Sequence, residues 1–553
     1  VQLNKQSVYQ IYVPSFADSN GDGLGDLAGI TGKLEYIKNL GVSYIWLTPI
    51  YVSPMNDNGY DVAAYCSINP RFGTMTDFDK LIETATSLGL KVMLDMVLNH
   101  TSTQHEWFQK ALAGEERYQN YYIFKDGTPG QPPTNWQSKF GGHAWHYVDK
   151  LGKWYLHLFD VTQADLNWDN PEVRAELYKV VNFWLDKGVK GLRFDVINLI
   201  SKPKIFEDDT QGDGRRFYTD GPNIHSYLKE LNQNTFGKYA DVMTVGEMSS
   251  TSIENCLKYA GPKQDELHTV FNFHHLKLDY AGGDKWSLAP FNFMAMKQLF
   301  NQWQTQMQAG GALTALFWSN HDQPRVVSRL FSEGGNNSAY RRQSAVMLAC
   351  ATFLMYGVPY IYQGEEIAMP NAGFTGIDDY RDVETINYYK ILRQSKSEAE
   401  ALAIVAAKSR DNARTPMVWN GEKPGYGYTG GTPWLGFIKE AATINAENEL
   451  NASGSVYRNF AKLLQLRQDY PALQSGTYEQ LAAKHEHIYA YSRTLKEETV
   501  IVVCNFFNVK TSFNLENIGI YKLIFNNYND ATIHNTTMEL KPYQAIVFIG
   551  GTL

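Results

Sequence analysis

"GLRFDVINLI", residues 191–200, is an almost wholly apolar run broken by one arginine and one aspartate two positions apart. A short continuous apolar run reads as a strand buried on both faces, the pattern of a parallel sheet covered by helices. Period-two geometry puts Arg193 and Asp195 on the same face. Burying a carboxylate is unfavourable unless it is paired, so Arg193 is expected to hold Asp195 ionised.

Seven similar runs lie along the chain: "VYQIYVPSF" (8–16), "VSYIWLTPI" (42–50), "KVMLDMVLNH" (91–100), "DVMTVGEM" (241–248), "HTVFNF" (268–273), "TALFWSNHD" (314–322) and "PYIYQGEE" (359–366). Helical patterns separate them. In "NPEVRAELYKVVNFWLDKG" Val173, Leu177, Val180, Val181, Trp184 and Leu185 recur at helical spacing, with Asn170 and Pro171 as the start signal and Gly188 as the stop. Eight buried strands alternating with helices predict an α/β fold of the closed (β/α)8 type, the TIM barrel, with an open doubly wound sheet as the alternative.

The long stretch between the third and fourth runs, rich in Trp, Tyr, Gly and Gln, predicts an inserted B domain at 101–168, flanked by barrel segments 1–100 and 169–474. Beyond 474 the pattern changes to short alternating strands, a C-terminal antiparallel β-sandwich at 475–553.

The chain has 553 residues, 44% hydrophobic and 20% charged, with a formal net charge of −8. That balance offers no basic footprint for nucleic acid and no cationic face for a membrane, and no apolar run is long enough to span one. "VQLNKQSVYQIYVPSF" has no leader-like pattern, and Cys66, Cys256, Cys350 and Cys504 lie far apart, which predicts buried free thiols in a reducing cytoplasm. A monomer is the simplest expectation for its assembly.

Several runs end in ionisable residues: His100, Asp195, Glu247, His321 and Asp322. In a barrel these strand ends share the rim where active sites of this fold sit. An ionised aspartate beside a carboxylic acid kept protonated is what glycoside cleavage needs.

"DMVLNH", "GLRFD", "VGEMSS" and "WSNHDQ" resemble, in order, four motifs of glycoside hydrolase family 13, the α-amylase family. The resemblance implies a retaining mechanism with Asp195 as nucleophile, Glu247 as acid/base and Asp322 as the residue that distorts and stabilises the sugar. His100 and His321 would bind its hydroxyls and Arg193 would orient the nucleophile. "NDNGYD" (56–61) and "SRDNARTPMVW" (409–419) also look like family motifs; Tyr60 would stack on the ring, and Asp61 with Arg410, or else Arg414, would close the pocket behind O4. No organic cofactor is implied.

"DSNGDGLGD" (18–26) spaces oxygen donors like the first half of an EF-hand loop, with Asp18, Asn20, Asp22, the Leu24 carbonyl and Asp26 as ligands. Gly29 stands where the bidentate carboxylate of an EF-hand would be. Related family 13 α-glucosidases use this loop for a structural Ca2+ or Mg2+ ion, and the resemblance implies one here.

Val196, directly after the nucleophile, resembles the α-1,6-acting glucosidases. Within that neighbourhood "STQHEWF", "GDGRRFYTDGP", "VGEMSSTS" and "FNFHHLKLDYAGGDKW" look like the branch that hydrolyses trehalose 6-phosphate, a small phosphorylated disaccharide. Oligo-1,6-glucosidase is the alternative. A non-catalytic transporter subunit of the same family would lack part of the catalytic set, which is present here. The phosphate is expected at His275, Lys277 and Lys285, on the loop after the sixth strand, with Arg215 and Arg216 next in line.

Overall fold

The computed structural model describes residues 2–263, 265–331, 339–515, 521–528, 530, 532–534 and 536–551. Eight parallel strands close a barrel: β1 Val8–Ile11, β2 Tyr44–Leu47, β3 Lys91–Met96, β4 Gly191–Phe194, β5 Met243–Glu247, β6 Thr269–Phe271, β7 Leu313–Leu316 and β8 Val358–Tyr362. They follow chain order around the barrel, with β1 paired to both β2 and β8. All eight expected runs are barrel strands, each shorter than its apolar stretch.

The remainder of each stretch turns out over the rim. "GLRFDVINLI" leaves the sheet after Phe194; Val196 takes a left-handed conformation (φ 37°, ψ 38°) and Ile197–Leu199 form a 3-10 turn. A β-branched residue there is strained, and such strain gathers at functional sites. Register sets Arg193 of β4 beside Asp95 of β3 and Val245 of β5.

The helix before β4 spans Pro171–Asp186; Asn170 caps it by accepting from Glu172 N, and Gly188 at φ 95° ends it. Its buried face, from Val173 to Leu185, is the one the spacing predicts.

Between β3 and β4, Phe124–Asp126, Trp145–Val148 and Lys153–Leu156 make a three-stranded antiparallel sheet, and His100–Ser102 pairs with Gln163–Asp165. Trp136, Trp145 and Trp154 pack with Val196, Leu199 and Tyr218, so this insertion rests on the loop after β4. At the C-terminus a five-stranded and a three-stranded antiparallel sheet enclose Ile488, Ile501, Val503, Phe513, Met538 and Phe548. Among the described residues no helix is long and apolar enough to cross a membrane. All four cysteines are free; Cys256, Cys350 and Cys504 are buried, whereas Cys66 is exposed.

Candidate active site

Arg193 is the hub of the barrel mouth. Its Nη1 lies 2.8 Å from Asp95 Oδ1 and 2.5 Å from Asp195 Oδ1, and its Nη2 lies 2.7 Å from Glu247 Oε2. The Val196 amide, aimed by the left-handed turn, donates to the same Glu247 oxygen at 3.0 Å. Tyr60 and Trp46 donate to Asp95 Oδ2, and the guanidinium sits 5.1 Å from the Trp46 ring.

One buried cation thus serves three buried carboxylates, and they cannot all ionise with equal ease. Burial, opposed by Arg193, raises Asp95 to about 6, Asp195 to about 7 and Glu247 to about 8. As pH rises Glu247 is the last to give up its proton, which suits it to donate one to a leaving group. Arg193 pulls Asp195 toward ionisation as expected, but burial and the Asp95 charge outweigh that pull.

A second charged cluster closes the other side. Arg410 Nη1 and Arg414 Nη2 lie 3.2 and 2.9 Å from Asp322 Oδ1, and both guanidiniums reach Asp382 Oδ1. Burial opposes ionisation of Asp322, and the field of His321, Arg410 and Arg414 overcomes it, holding the carboxyl well below the usual range. Burial also lowers His321 to about 3, so at neutral pH the two arginines carry that field.

The expected Asp61–Arg410 contact is not formed. Asp61 is fully buried, and its carboxylate accepts from Ser53 Oγ, Asn56 N and Asp57 N, closing its own loop. Asp57 takes the place instead, 3.0 Å from Arg410 Nη2. Both aspartates belong to "NDNGYD", and only the tight turn decides which faces the pocket. Arg414 serves Asp322 and donates through Nε to the His321 carbonyl.

His321 stacks on Tyr60, ring centroids 5.1 Å apart. Its Nδ1 faces Gln10 Nε2 at 2.7 Å and accepts from it; Nε2 therefore carries the hydrogen, buried, 3.4 Å from Asp322 Oδ2 and making no hydrogen bond among the described residues. An unsatisfied donor in a pocket awaits a ligand oxygen. His100 is buried across the site, with Nε2 against the Tyr60 carbonyl and Gln163 Nε2.

On the rim after β6 the expected phosphate ligands separate. His275 turns inward: its Nε2 donates to the Phe317 carbonyl at 2.7 Å, its ring packs on Phe300, Phe317 and Trp318, and burial lowers it to about 4. It is neutral packing and not an anion ligand. Lys285 is half-buried and paired with Glu384 at 2.6 Å. Lys277 donates to the Ser249 carbonyl, two residues beyond Glu247, and has no ion-pair partner among the described residues. Arg215 lies on the same side, whereas Arg216 pairs with Asp209 and stacks on Phe217.

Residues 10–476 match the family model of the α-amylase catalytic domain, and 488–547 match the C-terminal domain of the α-amylase SusG. The chain belongs to the α-amylase family. It is 48% identical to the trehalose-6-phosphate hydrolase of Bacillus subtilis and 50% identical to that of Escherichia coli, over 98% of this chain and 97% of each relative. The oligo-1,6-glucosidase of Parageobacillus thermoglucosidasius is 42% identical over the same share. The crystal structure of Bacillus licheniformis trehalose-6-phosphate hydrolase superposes with a TM-score of 0.93 at 50% identity, covering 99% of both chains.

Besides Asp57, two pocket residues of this α-amylase family chain were not anticipated from the sequence, for different reasons. Asp95 left a signal: it is the lone acid within "KVMLDM", in register with Arg193. Asp382 left none, because it reads as the cap of the Val383–Leu392 helix, a task it also performs through Thr385 N.

The loop after β1 closes on itself. Asp18 accepts from Asn20 N, Gly21 N, Gly23 N and Thr429 Oγ1; Asn20 and Asp22 accept from Asp22 N and Leu24 N. Asp26 accepts from Ser19 N and caps the Leu27–Thr31 helix through Gly29 N. Among the described residues no three His, Cys, Asp or Glu side chains converge as a metal cluster. The donor set still suits a hard cation in chemistry: Asn20, Asp22 and Asp26 each have an Oδ1 that accepts a single N–H and keeps a second lone pair, whereas both Asp18 oxygens already accept two hydrogen bonds and would have to exchange one for the ion.

Proposed function

We propose that this protein is a retaining α-glucosidase that hydrolyses α,α-trehalose 6-phosphate to glucose and glucose 6-phosphate. The observation that carries this reading is the contrast of charge: carboxylates crowd the buried pocket, whereas Lys277 at its mouth has no ion-pair partner among the described residues. Relatives about half identical over their full length bear the name of that activity.

In the first step Asp195 attacks C1 of the non-phosphorylated glucose, the C1–O bond breaks, and Glu247 gives its proton to the departing oxygen of glucose 6-phosphate. In the second step water adds to C1 as Glu247 takes its proton, and the ester to Asp195 breaks. Asp322, His321 and His100 hold the ring hydroxyls, Tyr60 supports the ring, and Asp57 with Arg410 closes the pocket at O4. Within the same reading Lys277 serves the phosphate side while Lys285 stays with Glu384, a Ca2+ or Mg2+ ion held by Asp18, Asn20, Asp22, the Leu24 carbonyl and Asp26 stiffens the first loop, and the enzyme works in the cytoplasm.

Val196 and the 42% identical relative favour a second reading, oligo-1,6-glucosidase. Purified protein assayed on trehalose 6-phosphate, trehalose and isomaltose separates the two. The first reading expects kcat/KM to be highest on the phosphorylated sugar, at least about tenfold above trehalose; a preference for isomaltose overturns it.

A further inference from the structure

We propose that Lys139 and Arg215 complete, with Lys277, a seat for a phosphate monoester dianion on the leaving-group side of the pocket; this rests on the function proposed above. The three cations come from three separate segments: Lys139 from the inserted domain, Arg215 from the loop after β4 and Lys277 from the loop after β6. Two contacts join the first two segments. Gln137 N donates to the Asp213 carbonyl at 3.1 Å, and the Lys139 ammonium lies 5.6 Å over the ring of Tyr218, in the short helix that Arg215 begins.

Asp213 is the single carboxylate paired within the group, and it binds Arg215 through Nε and Nη2. That grip fixes the guanidinium plane and leaves Nη1 without a hydrogen bond among the described residues. Neither Lys139 nor Lys277 has an ion-pair partner there. Three positive charges against one negative leave a surplus of two, the charge of a phosphate monoester above its second pKa. Like charges held together without counterions in a half-buried place are unfavourable unless an anion joins them. The strain is visible in Lys139, which burial and then Arg215 lower to about 8, with Lys277 adding to the effect and Asp213 and Glu247 opposing it. A dianion seated among these groups stands beside Glu247, where the departing sugar must lie.

The test compares kcat/KM on trehalose 6-phosphate and on a p-nitrophenyl α-glucoside for Lys139→Met, Lys139→Arg and Arg215→Gln, with melting temperatures as a check of folding. Lys139→Met and Arg215→Gln are each expected to lower the ratio of the two efficiencies at least about tenfold, the value of one charge-assisted hydrogen bond. Lys139→Arg should restore most of it, since Arg stays charged at any working pH. If neither loss variant moves the ratio while Lys277→Ala does, the seat excludes Lys139 and Arg215 and the proposal falls. A wild-type enzyme indifferent to the phosphate sinks the functional reading itself, and this seat with it.

A measurement on wild-type protein stands independent of variant folding. Glucose 6-phosphate should inhibit aryl-glucoside hydrolysis better than glucose does, and that advantage should shrink above pH 8 as Lys139 loses its proton. Repeating it on Lys139→Arg, where the decline due to the lysine should vanish, separates Lys139 from Glu247, which titrates in the same range and repels a dianion once ionised. An advantage that holds unchanged to pH 9.5 counts against Lys139.

Discussion

The glucose pocket and the rim above it have opposite charge balances. In the pocket Asp57, Asp95, Asp195, Glu247, Asp322 and Asp382 face Arg193, Arg410 and Arg414, so carboxylates outnumber cations. At the rim Lys139, Arg215 and Lys277 stand with one carboxylate, Asp213, which pairs with Arg215. A surplus of buried acids keeps protons and so furnishes a general acid; a surplus of cations attracts an anion. A chain with a net charge of −8 achieves this only by segregating its charges. The two balances also orient a substrate with one neutral and one phosphorylated sugar, because the dianion is repelled from the pocket and held at its mouth.

The sharpest way to break the comparison is within the pocket. Asp195→Asn removes the carboxylate proposed as nucleophile and leaves Arg193 with Asp95 and Glu247. Turnover on every substrate should fall at least about a thousandfold with the melting temperature nearly unchanged, as measured by steady-state kinetics and thermal unfolding. A selective loss on the phosphorylated sugar alone would transfer Asp195 from catalysis to binding.

A smaller effect separates the two aspartates of "NDNGYD". Asp57→Asn strips the charge facing Arg410 and should lower kcat/KM by about 10–100-fold on both phosphorylated and plain glucosides. Asp61→Asn turns an amide N–H2 toward backbone N–H groups that the carboxylate accepted. Its effect should be a lower melting temperature, by about 1–3 kcal/mol of stability, with far less change in kcat/KM. The opposite pattern would return Asp61 to the pocket wall.

That pair shows what the sequence could and could not convey. The barrel was legible because buried parallel strands read as apolar runs with turn residues between them, and Arg193, Asp195 and Glu247 were legible as charges intruding at run ends. Asp57 was not, since the choice between two acids four residues apart depends on a turn whose backbone no periodicity encodes. His275 failed for a related reason: the spacing puts it next to Lys277 in sequence, but one 3-10 turn sends it under Phe317 while the lysine emerges beside Ser249. Lys139 was invisible because its meaning comes from two distant segments, Arg215 and Lys277, and its own surroundings in "TNWQSKFGG" look like an ordinary aromatic-rich insertion.

The smallest expected effect concerns a third charged region, the loop after β1, which differs from both others in answering its carboxylates with backbone N–H groups. Asp18 alone accepts three of these, and the loop is further tied to the distant chain by Asp18 N to the Tyr428 carbonyl and Trp434 N to the Gly23 carbonyl, both at 2.9 Å. Gly23 permits that docking: it stands at φ 91°, and a Cβ there would fall 1.8 Å from the Thr432 carbonyl oxygen. So much internal support means that a bound cation adds to a loop already formed. A cation that binds only the folded chain stabilises by about 2.7 kcal/mol at a hundredfold excess over its dissociation constant. Chelation should therefore lower the melting temperature by a few degrees, and readdition of Ca2+ or Mg2+ should restore it, with kcat at 25 °C unchanged because no loop oxygen enters the chemistry. If the melting temperature ignores both chelator and metal, and elemental analysis of the purified protein finds no stoichiometric ion, the backbone amides have taken over the whole task that a cation would perform in this loop.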